Sequence, residues 1–180
     1  RVPCFKGLEE LQFESVGNLE AAVTSGGLST MPWTYEGKLI TLENKTLRYP
    51  GHWDKMIAYR QLGLFDEKEV DFKNQRFSPR EFYHHLLEPK LAENDSNDIC
   101  IMRTEAKGIK DSVDTTVIVE SIEKYDEKTG FKAMEKWTGW HASILAIQAA
   151  TSLLPKGAVS IENAMTGSDF LIEAEKGNLK

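Results

Sequence analysis

The sequence predicts an α+β domain, with a mainly antiparallel or mixed sheet and helices packed on one face. Three observations predict it. Alternating apolar stretches are joined after Val16 and Ala106 by connections too short for a parallel crossover. A Ser78-Pro79-Arg80-Glu81 run carries a helix start. A stretch over 138–153 is apolar nearly all round and longer than a strand, so it reads as a buried helix.

In chain order, Leu11 and Phe13 alternate with polar residues, and Leu19, Ala21 and Val23 resume the alternation after Gly17-Asn18, which predicts a β-hairpin. A loop with glycine and proline spans 25–32, and residues 38–48 read as a further strand. Pro50-Gly51 breaks that strand. Trp53, Met56 and Ile57 then recur at helical spacing until Gly63 supplies a stop. The second helix is expected over 79–87, with Ser78 as N-cap, Pro79 at the first position and Glu81 at the third. After a polar spacer at 93–98, the runs 99–102 and 115–122 predict paired antiparallel strands, and Phe131 with Ala133 a last short one. Pro155 and Gly157 close the apolar helix, and Ser168 and Gly177 bracket a final amphipathic helix carrying Phe170, Leu171 and Ala174.

Composition narrows the function. A chain of 180 residues with 41% hydrophobic and 28% charged residues is long enough for one well-buried core. The net charge is −6 and the basic residues are scattered among acids, so no stripe follows a phosphate backbone and nucleic acid is not an expected partner. Residues 1–7 lack the apolar stretch of a signal peptide and no run of about 18 apolar residues exists, so no membrane is expected. Two cysteines, Cys4 and Cys100, imply neither a disulfide framework nor a metal site, and a reduced, cytoplasmic setting is the expectation. The start without Met and the end at Gly177-Asn178-Leu179-Lys180 read as an excised piece of a longer chain.

Catalytic motifs are sparse. His84 and His85 are adjacent and diverge by about 100° on a helix, so they do not share an ion. There is no H-E-x-x-H, C-x-x-C, G-x-S-x-G, G-x-G-x-x-G or Walker loop. The stretch Lys45-Thr46-Leu47-Arg48-Tyr49-Pro50-Gly51-His52 stands apart, because a strand end, a tight turn and a helix N-terminus meet there. Arg48 offers a planar fork for a carboxylate, the N–H groups after Gly51 add partial positive charge, and Tyr49 supplies a further hydrogen bond. The competing reading pairs Arg48 with a neighbouring acid and packs Tyr49 in the core.

Thr46-Leu47-Arg48-Tyr49-Pro50-Gly51-His52, with Met56 and Leu62-Gly63-Leu64, resembles a signature of the saccharopine dehydrogenase-like family. Leu19-Glu20-Ala21 with Ser25-Gly26-Gly27-Leu28, Met102-Arg103 with Ala106-Lys107-Gly108, and Trp137-Thr138-Gly139-Trp140-His141-Ala142 extend the resemblance in family order over most of the chain. It implies the C-terminal, catalytic-like domain of an enzyme that oxidises or reduces a C–N bond with NAD or NADP. That domain closes the substrate cleft and often mediates a homodimer, while a Rossmann domain absent from this sequence carries the nucleotide. This chain alone is then expected to be inactive and to bind neither NAD nor NADP. Arg48, Tyr49 and His52 become the implied substrate-binding residues for saccharopine, lysine or a related amine; no catalytic residue is assigned. His141 stands where the family has a proline, read here as a structural change in a helix's first turn. The alternative from another class is a non-enzymatic module that binds a small acid or only makes dimers.

Overall fold

Every strand pair among the described residues is antiparallel, and the pairs form three separate sheets in place of the single sheet expected. The computed structural model describes residues 3–24, 26–92, 97–151 and 153–177. Ser25, most of the polar spacer at 93–98 and the terminal residues 178–180 lie outside them. The chain divides into two compact units, Arg1–Asp95 and Ser96–Lys180.

In the first unit β1 (Lys6–Phe13) and β2 (Gly17–Val23) form the expected hairpin, and β3 (Thr46–Arg48) adds to β2 at the other edge. Phe13, Leu19, Ala21, Ala22 and Trp53 are its buried apolar residues. Leu19 and Ala21 are buried on one face of β2, as the alternation predicts, and Ala22 is buried on the other. The long strand expected over 38–48 shrinks to three residues, since β2 pairs only Ala22, Ala21 and Glu20 with Thr46, Leu47 and Arg48. Without a partner strand residues 38–45 stay irregular, and Ile40 lies fully in solvent.

A single turn, α1 (Met31–Thr34), interrupts the loop, and α2 (His52–Gln61) follows Gly51 as expected, with Gly63 at φ +85° beyond its end. A hairpin of β4 (Val70–Phe72) and β5 (Gln75–Phe77) was not foreseen. Its turn residues Lys73 and Asn74 both take positive φ, the backbone of a two-residue type I′ turn. Then α3 (Pro79–Ala92) starts where Ser78 accepts the Glu81 N–H and runs past the expected end at Leu87, carrying Pro89 inside it. Phe5 packs against Trp53 and Phe65, and Phe65 meets Tyr83 of α3 edge-on.

The second unit opens with a ribbon of β6 (Ile99–Lys110) and β7 (Val113–Lys124), twelve residues each, paired without a break from Ile99↔Lys124 to Lys110↔Val113. Asp111 and Ser112 make its turn, both at positive φ. The strand expected at Phe131 and Ala133 is not formed. Instead α4 (Ala133–Ala150) begins there, because the Asp98 carboxylate accepts the N–H groups of Ala133 and Met134 at 2.6 and 3.0 Å and Glu135 reaches back to the Lys132 N–H at 2.9 Å. Two short helices, α5 (Ile161–Ala164) and α6 (Gly167–Lys176), follow, α6 near the expected boundaries with Thr166 as N-cap.

Ile144 of α4 and Ala174 of α6 are buried together, with Trp140, Met165 and Phe170 packed around them. Gly177 closes α6 where a side chain does not fit, since a Cβ there would fall 2.7 Å from the Trp140 ring, whose N–H donates to the Gly177 carbonyl. The expectation of an enclosed α4 needs correction: Met134 and Ile147 are exposed on it. The whole chain exposes 13976 Å². Two separate globular proteins of half its mass would expose about 10,600 Å² together. The chain therefore shows more surface than two such proteins together.

Candidate functional site: the turn after β3

Tyr49, Pro50, Gly51 and His52 form a β-turn closed by the His52 N–H donating to the Tyr49 carbonyl at 3.2 Å. Proline at the second position and Gly51 at φ 83°, ψ −3° at the third define type II geometry, which a side-chain-bearing residue at Gly51 would strain. The turn brings Arg48, Tyr49 and His52 together at the junction of β3 and α2. Arg48 and Tyr49 are exposed and His52 is half-buried.

The guanidinium of Arg48 donates to the Leu47 carbonyl at 2.7 Å, and no carboxylate of a described residue pairs with it. The cation is thus held by its own backbone with donors to spare. Tyr49 is 60% exposed, which removes the alternative that it packs in the core. His52 meets Trp53 edge-on at 4.9 Å. Burial lowers its pKa from the ordinary histidine value, and the positive charges of Arg48 and Lys55 push the same way against the opposing Glu20. At neutral pH the ring is therefore neutral, with one donor and one acceptor nitrogen.

Glu20 is the residue that sequence reasoning missed. It faces Arg48 across the β2–β3 ladder, both its carboxylate oxygens lie 3.1 Å from the Gly51 nitrogen, and its carbonyl accepts the Trp53 indole N–H at 3.0 Å. The partial positive charge expected at the start of α2 is therefore already answered from within the chain. What remains for an incoming anion is Arg48. The one sequence signal for Glu20 was an acid set between Leu19 and Ala21 on an otherwise apolar strand.

The same holds at the other long helices. Asp98 fills the start of α4, Ser78 that of α3 and Thr166 that of α6. Gly26-Gly27 is no phosphate cradle either, because a Cβ at Gly27 would lie 2.6 Å from the Asn44 side chain, so that space is taken. Each of these helix starts therefore has one or two of its N–H groups already bonded from within the chain.

Elsewhere, a cleft of about 440 Å³ in the second unit is lined by Leu153, Met165, Ile172 and the acids Glu162, Asp169 and Glu173, a setting that repels a carboxylate. Cys4 and Cys100 are free thiols; burial, then Asp98 and Glu123, push the Cys100 thiol up. Among the described residues no group of three or more His, Cys, Asp or Glu is placed to hold a metal ion, and no helix is long and apolar enough to cross a membrane. His84 sits 3.6 Å from Glu88 on the exposed side of α3. His141 lies in the third turn of α4, not the first, because the helix starts early, and its ring packs on Phe170 at 5.2 Å. A family model described as the saccharopine dehydrogenase C-terminal domain matches residues 2–176, spanning both units.

Proposed function

Because the chain belongs to the saccharopine dehydrogenase C-terminal domain family, we propose that it is the substrate-cleft and dimerisation part of an NAD(P)-dependent oxidoreductase acting on the C–N bond of an amino acid such as saccharopine or lysine. The family supplies the oxidoreductase association. The observation that carries the finer reading is Arg48, an exposed guanidinium without an acidic partner among the described residues, on a type II turn beside Tyr49 and a neutral His52.

An amino-acid substrate carries an α-carboxylate that a planar guanidinium binds through two parallel hydrogen bonds. Tyr49 and His52 are polar groups within the same turn that complete recognition without adding a charge. The nucleotide belongs to a separate Rossmann domain, and this chain contributes positioning and exclusion of water. The alternative, a module that binds a small acid or only dimerises, shares the Arg48 contact and lacks the chemistry.

Kinetics of the full-length enzyme test the assignment. Arg48→Ala should raise KM for the amino-acid substrate with kcat little changed, as expected when a contact is equal in ground and transition states. Loss of a charged hydrogen bond of about 1.5–3 kcal/mol corresponds to roughly ten-fold to a hundred-fold in affinity. Unchanged kinetics would return Arg48 to the surface. Sequence preceding Arg1 separates the two classes: a strand followed by G-x-G-x-x-G and a helix supports the enzyme.

A further inference from the structure

Glu20 and Arg48 are opposed on the β2–β3 ladder, so their side chains leave the sheet on the same face as neighbours. Opposite charges in that relation ordinarily pair. These two do not: the Arg48 guanidinium turns back to the Leu47 carbonyl, and the Glu20 carboxylate turns to the Gly51 N–H. No ion pair joins either of them to a described residue. The result is a cation and an anion held beside each other and apart, Arg48 exposed and Glu20 half-buried. Glu20 is fixed at both ends, because its carbonyl accepts the N–H of the buried Trp53 indole while its carboxylate oxygens both lie 3.1 Å from one nitrogen. A carboxylate offers about four lone-pair sites, so a single N–H leaves it room for further donors.

We propose that Glu20 receives the α-ammonium of the amino acid whose carboxylate Arg48 binds, so that the site selects an α-amino acid head over a plain carboxylate. The inference rests on Arg48 as the carboxylate site of the proposed function and adds its counter-charge. Arg48 and Glu20 together are neutral. A simple carboxylate is drawn to the one and repelled by the other, and gains little from the pair. A zwitterionic head set across them meets attraction at both ends, its carboxylate on the guanidinium and its ammonium on the free lone pairs of Glu20. Anchoring Glu20 before the ligand arrives also spares the ordering of that side chain on binding. An acceptor oxygen suffices for the Gly51 N–H, whereas an ammonium drawn into a half-buried place needs the opposite charge. His52 reports on the same place, since Arg48, Lys55 and Glu20 all act on the charge of its ring.

Proton NMR titration of the 180-residue chain at neutral pH, following the His52 ring and the Trp53 indole, tests this with three probes. Lysine carries the whole head, 6-aminohexanoate keeps the carboxylate and the distal amine without the α-ammonium, and Nα-acetyl-lysine keeps the α-nitrogen without its charge. Lysine should bind roughly ten-fold or more tightly than either analogue, the value of one charged hydrogen bond. Glu20→Gln retains an oxygen for the Gly51 N–H and should bring lysine down to the analogues, while Arg48→Ala should weaken all three. Analogues that match lysine in the parent, with Arg48→Ala still weakening all three, would overturn the role of Glu20 and leave Arg48 as a carboxylate site. A preference for lysine that survives Glu20→Gln would assign the ammonium to another group and overturn it as well. Resonances unmoved by any probe, or affinities indifferent to Arg48→Ala, would overturn the Arg48 reading and this inference with it. Should Glu20→Gln not fold by circular dichroism, the comparison of probes in the parent decides.

Discussion

Lys136 occupies an unfavourable place, a cation in the first turn and a half of α4, where the helix dipole opposes positive charge by about 0.3–1 kcal/mol. Its ammonium lies 3.0 Å from Glu123 of β7, and the two side chains are only 10% and 6% exposed. Replacing Lys136 by Ala takes the ammonium away from a buried carboxylate, which costs up to about 3–5 kcal/mol. For a unit of fewer than about 100 residues that is a fall in Tm of roughly 12 °C or more, a large share of a typical domain stability of about 5–15 kcal/mol. The double change Lys136→Met with Glu123→Leu removes both charges and fills similar volume, and should lie within about 1 kcal/mol of the parent or above it. Urea unfolding of the parent, Lys136→Met, Glu123→Leu and the double variant gives the coupling energy directly. A loss below about 1 kcal/mol in Lys136→Ala, or a double variant as unstable as the single, would show that the pair is not the clamp between ribbon and helix.

Trp137, one residue on, has a buried indole N–H with no acceptor; Trp137→Phe should cost less than about 1 kcal/mol, because removing an unmet donor offsets lost ring area, and a cost above about 2 kcal/mol in urea unfolding would reveal an acceptor. Proton NMR should find His52 titrating below the ordinary histidine range, and Arg48→Ala should raise its pKa by removing a repelling cation; an unchanged midpoint would place the two charges out of reach. The sign for stability follows: a depressed folded pKa means that His52's contribution is complete above its unfolded pKa near 6.5 and declines as pH falls through the lower folded value. Calorimetric titration of the isolated chain with NAD or NADP should give no micromolar heat, and such a signal would contradict the occupied helix starts.

What was legible in the sequence was local. The β1–β2 hairpin follows from alternation, α2 and α3 from Pro50-Gly51, Gly63 and Ser78-Pro79, and the Arg48 turn from a proline and a glycine that admit one turn type. What failed depended on partners distant in sequence. Residues 38–45 have strand-like composition, yet β2 offers β3 only three residues to pair with. The start of α4 is decided by Asp98, 35 residues before Ala133. Asn74 could have revealed β4–β5, since asparagine tolerates positive φ, but Lys73 before it gave no such signal. Glu20 was in view as part of a motif, while its bond to Gly51 spans 31 residues and follows from the ladder register alone.

The arrangement at Glu20 also decides how this chain can recognise an anion. A helix start normally offers several N–H donors at once, and such a site takes phosphate as readily as carboxylate. Here the chain spends a carboxylate of its own on the start of α2 and another on that of α4, and hydroxyls on those of α3 and α6. Each described helix of ten residues or more thus has its start bonded in part from within the chain, and Arg48 stands as an exposed cation of the β3–α2 turn. A guanidinium flanked by a phenol and a neutral imidazole, with Lys55 near and Glu20 opposing it, suits a single carboxylate better than a polyphosphate. The filled helix starts thus support the proposed division of labour, amino acid on this domain and nucleotide on another.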